Sequence, residues 1–385
     1  MTQDVTFVTL PRNLVLTGSA SRACYTPSMT TRRDILKGAI AGAALAVLPR
    51  GRAAAQSAAE PIPPEPPGAD HWQQYGRAIH TVAVYEEPNA RSERLGAYTR
   101  DQALPILGET TAPYTAHNDR WYETEEGYVH SAWVLPVRVY PDQPFIEDLG
   151  EWGFWGEIAH IYTEARTGPS LGAATKYRFY GGTVFHVIDA VRGAEGDGWY
   201  KVVDDYPPRQ STNHQWVPAH AVRRIPRVET APIHPFVGDK RIEVHLDGQI
   251  LDCYEGDTIV YSTLVASGLA GPHATPRGPH CVLLKQASRH MANVPYPDMK
   301  DEDMPDPSDI FDLPGVPWNT FFDLEGRAIH GAYWHNDFGI RRSHGCLNVP
   351  IDAAKWLYRW VHPIGGHEDD FIRSNCSVGT PINIT

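Results

Sequence analysis

A cysteine lies two residues after one histidine and sixteen after another in the stretch His330-Gly331-Ala332-Tyr333-Trp334-His335-Asn336-Asp337-Phe338-Gly339-Ile340-Arg341-Arg342-Ser343-His344-Gly345-Cys346-Leu347-Asn348. A resting thiol, with a pKa of about 8.5, is a poor nucleophile at neutral pH. A neighbouring imidazole that takes its proton leaves a thiolate. Gly331, Gly339 and Gly345 let backbone and substrate approach closely. Cysteine and histidine in a glycine-bounded turn point to acyl transfer through a thioester, with Cys346 as nucleophile. The successive backbone amides of His344, Gly345 and Cys346 are candidates for an oxyanion hole, as amides in a tight turn can converge on one point. His344 either assists catalysis or shapes the turn.

Ser343-His344-Gly345-Cys346-Leu347-Asn348, with Ile329-His330-Gly331 upstream, resembles the signature of the YkuD-type L,D-transpeptidases, cysteine enzymes that cross-link bacterial peptidoglycan. The resemblance runs from about Lys240 to the C-terminus. Val265-Ala266-Ser267-Gly268 and Thr275-Pro276-Arg277-Gly278 fit the family's opening segments, and the spacer from His330 to Ser343 is near the family's short end. The resemblance implies that His330 is the base. A base needs a partner on its other ring nitrogen. Because Gly331 has no side chain, a backbone carbonyl, that of Gly331, is the candidate orienter. The family carries substrate-pocket residues at Asn348 and Trp334, with a core role the alternative for Trp334, and Tyr333 and Ser343 join them as candidate substrate contacts. No metal and no cofactor is expected, and inhibition by carbapenems is.

The implied reaction has two steps. The thiolate attacks the peptide bond after the third residue of a donor stem tetrapeptide, the terminal D-residue leaves, and an acyl-enzyme forms. An amine from a second stem then attacks. Water as acceptor would make the same site a carboxypeptidase. Two readings from other classes stand beside this one. One is a zinc hydrolase on His330, His335 and His344, whose spacing is not a familiar ligand pattern. The other is a catalytically silent wall-binding protein.

The elements that must position this stretch are mostly strands. Arg241 to Leu246 alternates polar and apolar, Asp247-Gly248 reads as a hairpin turn, and strands over 249–254 and 258–266 follow. Cys281 falls in the next strand, where it reads as a small buried apolar residue. Residues 285–321 show no clear period and carry Asp298, Asp301, Glu302, Asp303, Asp306, Asp309 and Asp312; they read as a solvated loop or an acidic lid over the site. Residues 352–361 read as a helix with Asp352 as N-cap, and residues 380–384 as the last strand.

Upstream there is a weak internal repeat. Val84-Tyr85-Glu86-Glu87 is echoed by Ile161-Tyr162-Thr163-Glu164, Trp121-Tyr122 by Trp199-Tyr200, and the stretch 128–134 by 216–222, with an insertion near Pro207-Pro208-Arg209-Gln210. These units resemble bacterial SH3-like modules. Their tryptophans, Trp121, Trp199 and Trp216, either fill small barrels or line a groove for glycan or stem peptide. The expected fold is therefore mainly β: two small SH3-like β-barrels over 75–140 and 155–226, a proline-bearing linker over 223–239, and a YkuD-type β-sandwich with a short helix over 240–385.

Residues 1–55 read as an export signal. Thr31-Arg32-Arg33-Asp34-Ile35-Leu36-Lys37 is a twin-arginine pattern, an apolar run from Ala39 to Leu48 follows, and Ala53-Ala54-Ala55 is a small-residue cleavage site. Met29 would place the arginines almost at the start, as such signals prefer. The apolar run is too short for a span of about 20 residues, so no stable membrane anchor is expected, and the location is the periplasm or the cell-wall space. Residues 56–74 are a proline-rich spacer. Without residues 1–55 the chain holds 27 basic against 44 acidic residues, net −17. Such a chain repels phosphate backbones, which argues against nucleic acid as a partner. Cys24 leaves with the signal. Of Cys253, Cys281, Cys346 and Cys376, a catalytic Cys346 leaves three for one disulfide and one spare thiol.

Overall fold

Trp-Tyr and Tyr-Val pairs joined by a short acidic turn fold as an antiparallel hairpin. Arg120–Thr124 pairs with Gly127–His130, with Trp121 opposite His130 and Tyr122 opposite Val129. An antiparallel pair recurs downstream, where Gly198–Val203 pairs with His214–Pro218, with Tyr200 opposite Val217. These pairs belong to a computed structural model that describes residues 73–203, 214–294 and 307–385. The twin-arginine stretch, the cleavage site, the proline-rich spacer up to residue 72, the insertion at 207–210 and Asp298 to Asp306 lie outside those residues.

Strand pairing falls into three groups along the chain. Strands between 73 and 139 form a three-stranded and a five-stranded sheet, and strands between 154 and 224 form one seven-stranded sheet. Strands from 240 onward form two five-stranded sheets. In the first of these, Lys240–His245 lies between Ile250–Glu255 and the C-terminal Pro381–Ile384, which it meets in parallel. In the second, Asp312–Phe321 lies between Leu284–Ala292 and Ala328–Gly331. The inner faces of both sheets and the helix Ile351–Trp360 share one core, in which Ile242, Val244, Leu251, Trp318, Ile329, Leu347, Ala354 and Leu357 are buried.

Hydrophobic clusters cross the boundaries that the strand pairing respects. Trp155, Val184 and Ile225 pack into the core of the last two sheets. Ile79, Leu135 and Val137 pack with Ala266, Val316 and Trp334. Trp121 and Trp199 are fully buried, 0% exposed, as fillers of their own sheets. Trp216 is half-buried, with Lys201 over its ring.

Four local expectations are corrected. Residues 285–321 are not a loop throughout: Leu284–Ala292 and Asp312–Phe321 are paired strands. The second is buried at every position after Asp312, so no polar–apolar alternation marks it. Asp352 is not the cap of the helix. Pro350 holds that place without a side-chain bond, and Asp352 sits in the first turn, paired with Arg138 at 2.7 Å. Residues 223–239 are not a loose linker. Arg223 bonds Glu229, Lys355 also reaches Glu229, and Arg359 donates to the Ala231 carbonyl at 2.8 Å. Cys281 is bridged to Cys376, which leaves Cys253 and Cys346 as buried free thiols.

Candidate active site

The site begins with a register. Ala328–Gly331 and Leu347–Val349 pair in parallel, with Ile329 opposite Leu347 and His330 opposite Asn348. Partners across a parallel pair share a face, and so do residues two apart on one strand. Continuing the register by one residue sets Cys346 opposite Ala328. His330, Asn348, Ala328 and Cys346 therefore point to one side of the sheet. Nothing in the spacing of sixteen residues alone would require this.

The turn before Cys346 is pinned from within and from outside. The Ser343 hydroxyl donates to the Cys346 carbonyl at 2.6 Å and accepts the Gly345 N–H at 3.2 Å. Gly345 has φ +115°, and a Cβ there would stand 2.7 Å from Arg327 Nε, so only glycine fits. From outside, the Thr275 hydroxyl donates to the Gly345 carbonyl at 3.0 Å and accepts the Gly268 N–H at 2.9 Å. The Ser267 carbonyl accepts the N–H groups of Arg342 and Ser343 at 2.8 and 2.9 Å. The Ser267-Gly268 and Thr275-Pro276 segments thus act as a cradle for the cysteine turn.

His330 Nδ1 lies 3.2 Å from the Gly331 carbonyl. A carbonyl only accepts, so Nδ1 carries the proton and Nε2 the lone pair. Burial pushes the His330 pKa down to about 4, and the bond to Gly331 offsets part of this. Burial pushes Cys346 up to about 11, against a backbone hydrogen bond from Ala328 that favours the thiolate. The resting pair is neutral thiol and neutral imidazole rather than an ion pair.

A second histidine was missed as a site residue in the sequence, apart from the zinc reading. His335 Nδ1 accepts the Asp337 N–H at 3.3 Å, so its proton sits on Nε2. Asn348 lies 3.1 Å from that nitrogen. The Asn348 atom at this distance is Nδ2, and exchanging the amide's nitrogen and oxygen would give the N–H its acceptor. Burial is the main reason that His335 stays neutral, with Arg342 and His330 adding to it.

The structure brings together most of the expected residues but gives several of them interior places. Ser343 and Asn348 are 0% exposed, Tyr333 3% and Trp334 9%. The Ser343 hydroxyl bonds inside the turn, and the Tyr333 hydroxyl donates to the Pro314 carbonyl at 2.9 Å. Trp334 packs in a core cluster with its ring 5.7 Å from that of His330. These four side chains, expected as substrate contacts, are all buried in the structure, and for Trp334 this agrees with the core role that was the alternative. The Gly345 amide is engaged by Ser343, so the oxyanion candidates narrow to the His344 and Cys346 amides.

The spacer between the two halves of the motif is held by residues from the first fifth of the described chain. Arg77 donates to the Tyr333 carbonyl. Asn336 donates to the Tyr122 hydroxyl at 3.1 Å and to the Ser131 and Val134 carbonyls at 3.2 and 3.1 Å. Asp337 is 2.8 Å from both His117 and Arg342. Apart from Arg342, these partners lie more than 200 residues away in sequence, so no local signal marks them.

Comparison with known proteins places this geometry. Residues 239–384 match the family model of the YkuD L,D-transpeptidase catalytic domain. No curated protein matched the chain. Among solved structures, a cysteine-to-serine mutant of the Enterococcus faecium L,D-transpeptidase is similar at 22% identity over 40% of this chain and 52% of that one, with a TM-score of 0.28. The chain therefore spans about half the length of that relative. The E. faecium catalytic domain acylated by ertapenem is similar at 24% identity over 38% of this chain and 97% of that one, TM-score 0.28. The L,D-transpeptidase from Mycobacterium smegmatis is similar at 15% identity over 49% and 90%, TM-score 0.29. Over residues 239–384 the chain is therefore similar to the YkuD L,D-transpeptidase catalytic domain.

Proposed function

We propose that the chain is an exported cysteine acyltransferase that joins peptidoglycan stem peptides through a thioester on Cys346. The observation that carries this reading is the parallel register that sets His330 opposite Asn348, two residues after Cys346, inside a segment that matches the L,D-transpeptidase catalytic domain. His330 Nε2, its lone pair held outward by the Gly331 carbonyl on Nδ1, takes the thiol proton as Sγ attacks the donor peptide carbonyl. The His344 and Cys346 amides receive the developing oxyanion. The proton passes to the departing D-residue amine, and the thioester remains. An acceptor amine then attacks, His330 takes its proton, and the thiol is released with the new amide bond. A general base for both half-reactions suits a group that is neutral at rest.

Water as acceptor is the second reading, and the same atoms serve it. Incubating the protein with a purified tetrapeptide muropeptide and identifying products by mass spectrometry separates the two. A dimer that has lost the terminal residue supports transpeptidation, and a tripeptide alone supports carboxypeptidase action. Unchanged substrate would sink both. Carbapenems, as strained acyl donors, are expected to acylate Cys346.

The upstream residues 75–140 and 155–226 are proposed as SH3-like modules that bear on the wall, a reading supported by the repeated Trp-Tyr hairpins. Export by the twin-arginine route is supported by the Cys281–Cys376 bridge, since disulfides persist chiefly in oxidising compartments. N-terminal sequencing of secreted protein tests it. A start near Gln56 agrees, and a secreted chain that keeps Arg32 and Arg33 does not.

A further inference from the structure

His273, Asp309 and His344 converge from three separate parts of the catalytic domain. His273 ends the single turn Gly271–His273, Asp309 ends the turn Pro307–Asp309, and His344 belongs to the cysteine turn. His273 Nε2 is 3.7 Å from one carboxylate oxygen of Asp309, and His344 Nε2 is 3.8 Å from the other. The two imidazole centroids are 3.6 Å apart, and one ligand atom from each residue lies within 4.8 Å of the other two.

Those separations are longer than hydrogen bonds, which close to about 2.7–3.2 Å. They are close to the donor–donor edges of a tetrahedral metal site. Bonds of about 2.0–2.2 Å to nitrogen and oxygen set edges of roughly 3.3–3.6 Å, so closing the three donors around an ion would complete such a site. Two imidazoles and one carboxylate form a donor set that suits zinc, with a fourth position left for water. Burial also matters: His344 is 2% exposed, and the flanking side chains are half-buried rather than on a mobile surface.

We propose that His273, Asp309 and His344 form a binding site for a zinc-class divalent ion. The ion ties the 271–273 and 307–309 turns to the residue two before Cys346. The zinc hydrolase considered from the sequence grouped His344 with His330 and His335. Among the described residues, the group whose ligand atoms converge joins His344 to His273 and Asp309, not to His330 and His335. The site is a holding point beside the thiol, and its existence does not depend on whether the acceptor is an amine or water.

The test uses the full chain, wild type, His273→Ala and Asp309→Asn. Zinc affinity is read by competition with a chromophoric chelator, and melting temperature is read with and without zinc. Wild type should bind zinc and melt at a higher temperature in its presence. Each variant should bind at least about tenfold more weakly and lose the zinc-dependent rise. The Asp309→Asn change keeps the shape of the side chain, so it answers the question if His273→Ala is unstable. A His160→Ala control removes the surface group Asp142–His160–His220, and zinc binding at the proposed site should survive it. Equal zinc affinity and equal melting shift in wild type, His273→Ala and Asp309→Asn would overturn the proposal, as would binding that disappears only in the His160→Ala control.

Discussion

The Asp337 carboxylate stands 2.8 Å from His117 Nε2, a residue 220 positions earlier in the chain. Its other oxygen meets Arg342 at the same distance. Asp337 lies in the spacer between His330 and Ser343, so a contact to the upstream segment and an ion pair with Arg342 share a single carboxylate. A spacer this short can be set by such ties, because few residues need to be ordered.

Replacing Asp337 with alanine should therefore act on both stability and reactivity. His117 and Arg342 lose their shared partner in a mostly buried place, which costs about 1–3 kcal/mol. Carbapenem acylation of Cys346 should slow as the spacer loosens. Urea unfolding and acylation rate measured on the same preparation check this. A variant that is as stable and as fast as wild type would show that the upstream tie is incidental.

Cys346→Ala should abolish carbapenem labelling and muropeptide turnover. His330→Ala should slow both by about 10²–10⁴-fold, the usual contribution of a general base. Peptide mapping after brief carbapenem exposure locates the label. A label on Cys253, or turnover by Cys346→Ala, would remove Cys346 from its assigned role.

Alkylation of the resting enzyme should report a neutral thiol. Burial raises Cys346 to about 11, so the thiolate fraction, and with it the iodoacetamide rate, should climb about tenfold per pH unit from pH 7 toward pH 10. An ion pair formed at rest would instead give a rate that levels off near neutrality. Mass spectrometry of timed alkylations decides between them, with fully buried Cys253 as the slower internal reference.

Acid should unfold the protein through its buried imidazoles. Burial depresses His330 to about 4 from an ordinary value of 6.5, and His367 is likewise held at about 4 by burial. A depressed pKa contributes stability that is whole above about pH 6.5 and is lost as pH falls through about 4, because the unfolded chain binds the proton first. Urea midpoints should drop across that window, and His330→Gln should show a shallower drop. A wild-type midpoint that stays constant from pH 7 to pH 4 would contradict this.

The Cys281–Cys376 bridge closes a loop of 95 residues in sequence separation. Cys376→Ser should cost about 2–5 kcal/mol, mainly by freeing the unfolded chain. Denaturant unfolding with and without reductant checks it: reductant should weaken wild type and leave the variant unchanged.

The residues that carry chemistry were legible as types and order. Ser343-His344-Gly345-Cys346 announced a glycine turn before a thiol, and Thr275-Pro276 announced a second turn without saying that the two would meet. Asp352 looked like a helix cap because its residue type suits that place, yet Pro350 precedes the helix and Arg138 claims the carboxylate. The strand Asp312–Phe321 escaped notice because a strand buried on both faces has no alternation to read.

Local sequence determined what depends on neighbours in the chain: the φ +115° position that only Gly345 can take, the hairpins after Trp121 and Trp199, and the histidine and cysteine that a thioester mechanism needs. Tertiary structure decided what depends on register and burial. A parallel pairing put His330 on the face of Cys346, where a slip of one residue would have turned it away. Desolvation left both groups neutral, and the fold brought His273 and Asp309 to His344. Those outcomes follow from long-range packing, whose partners no window of the sequence contains.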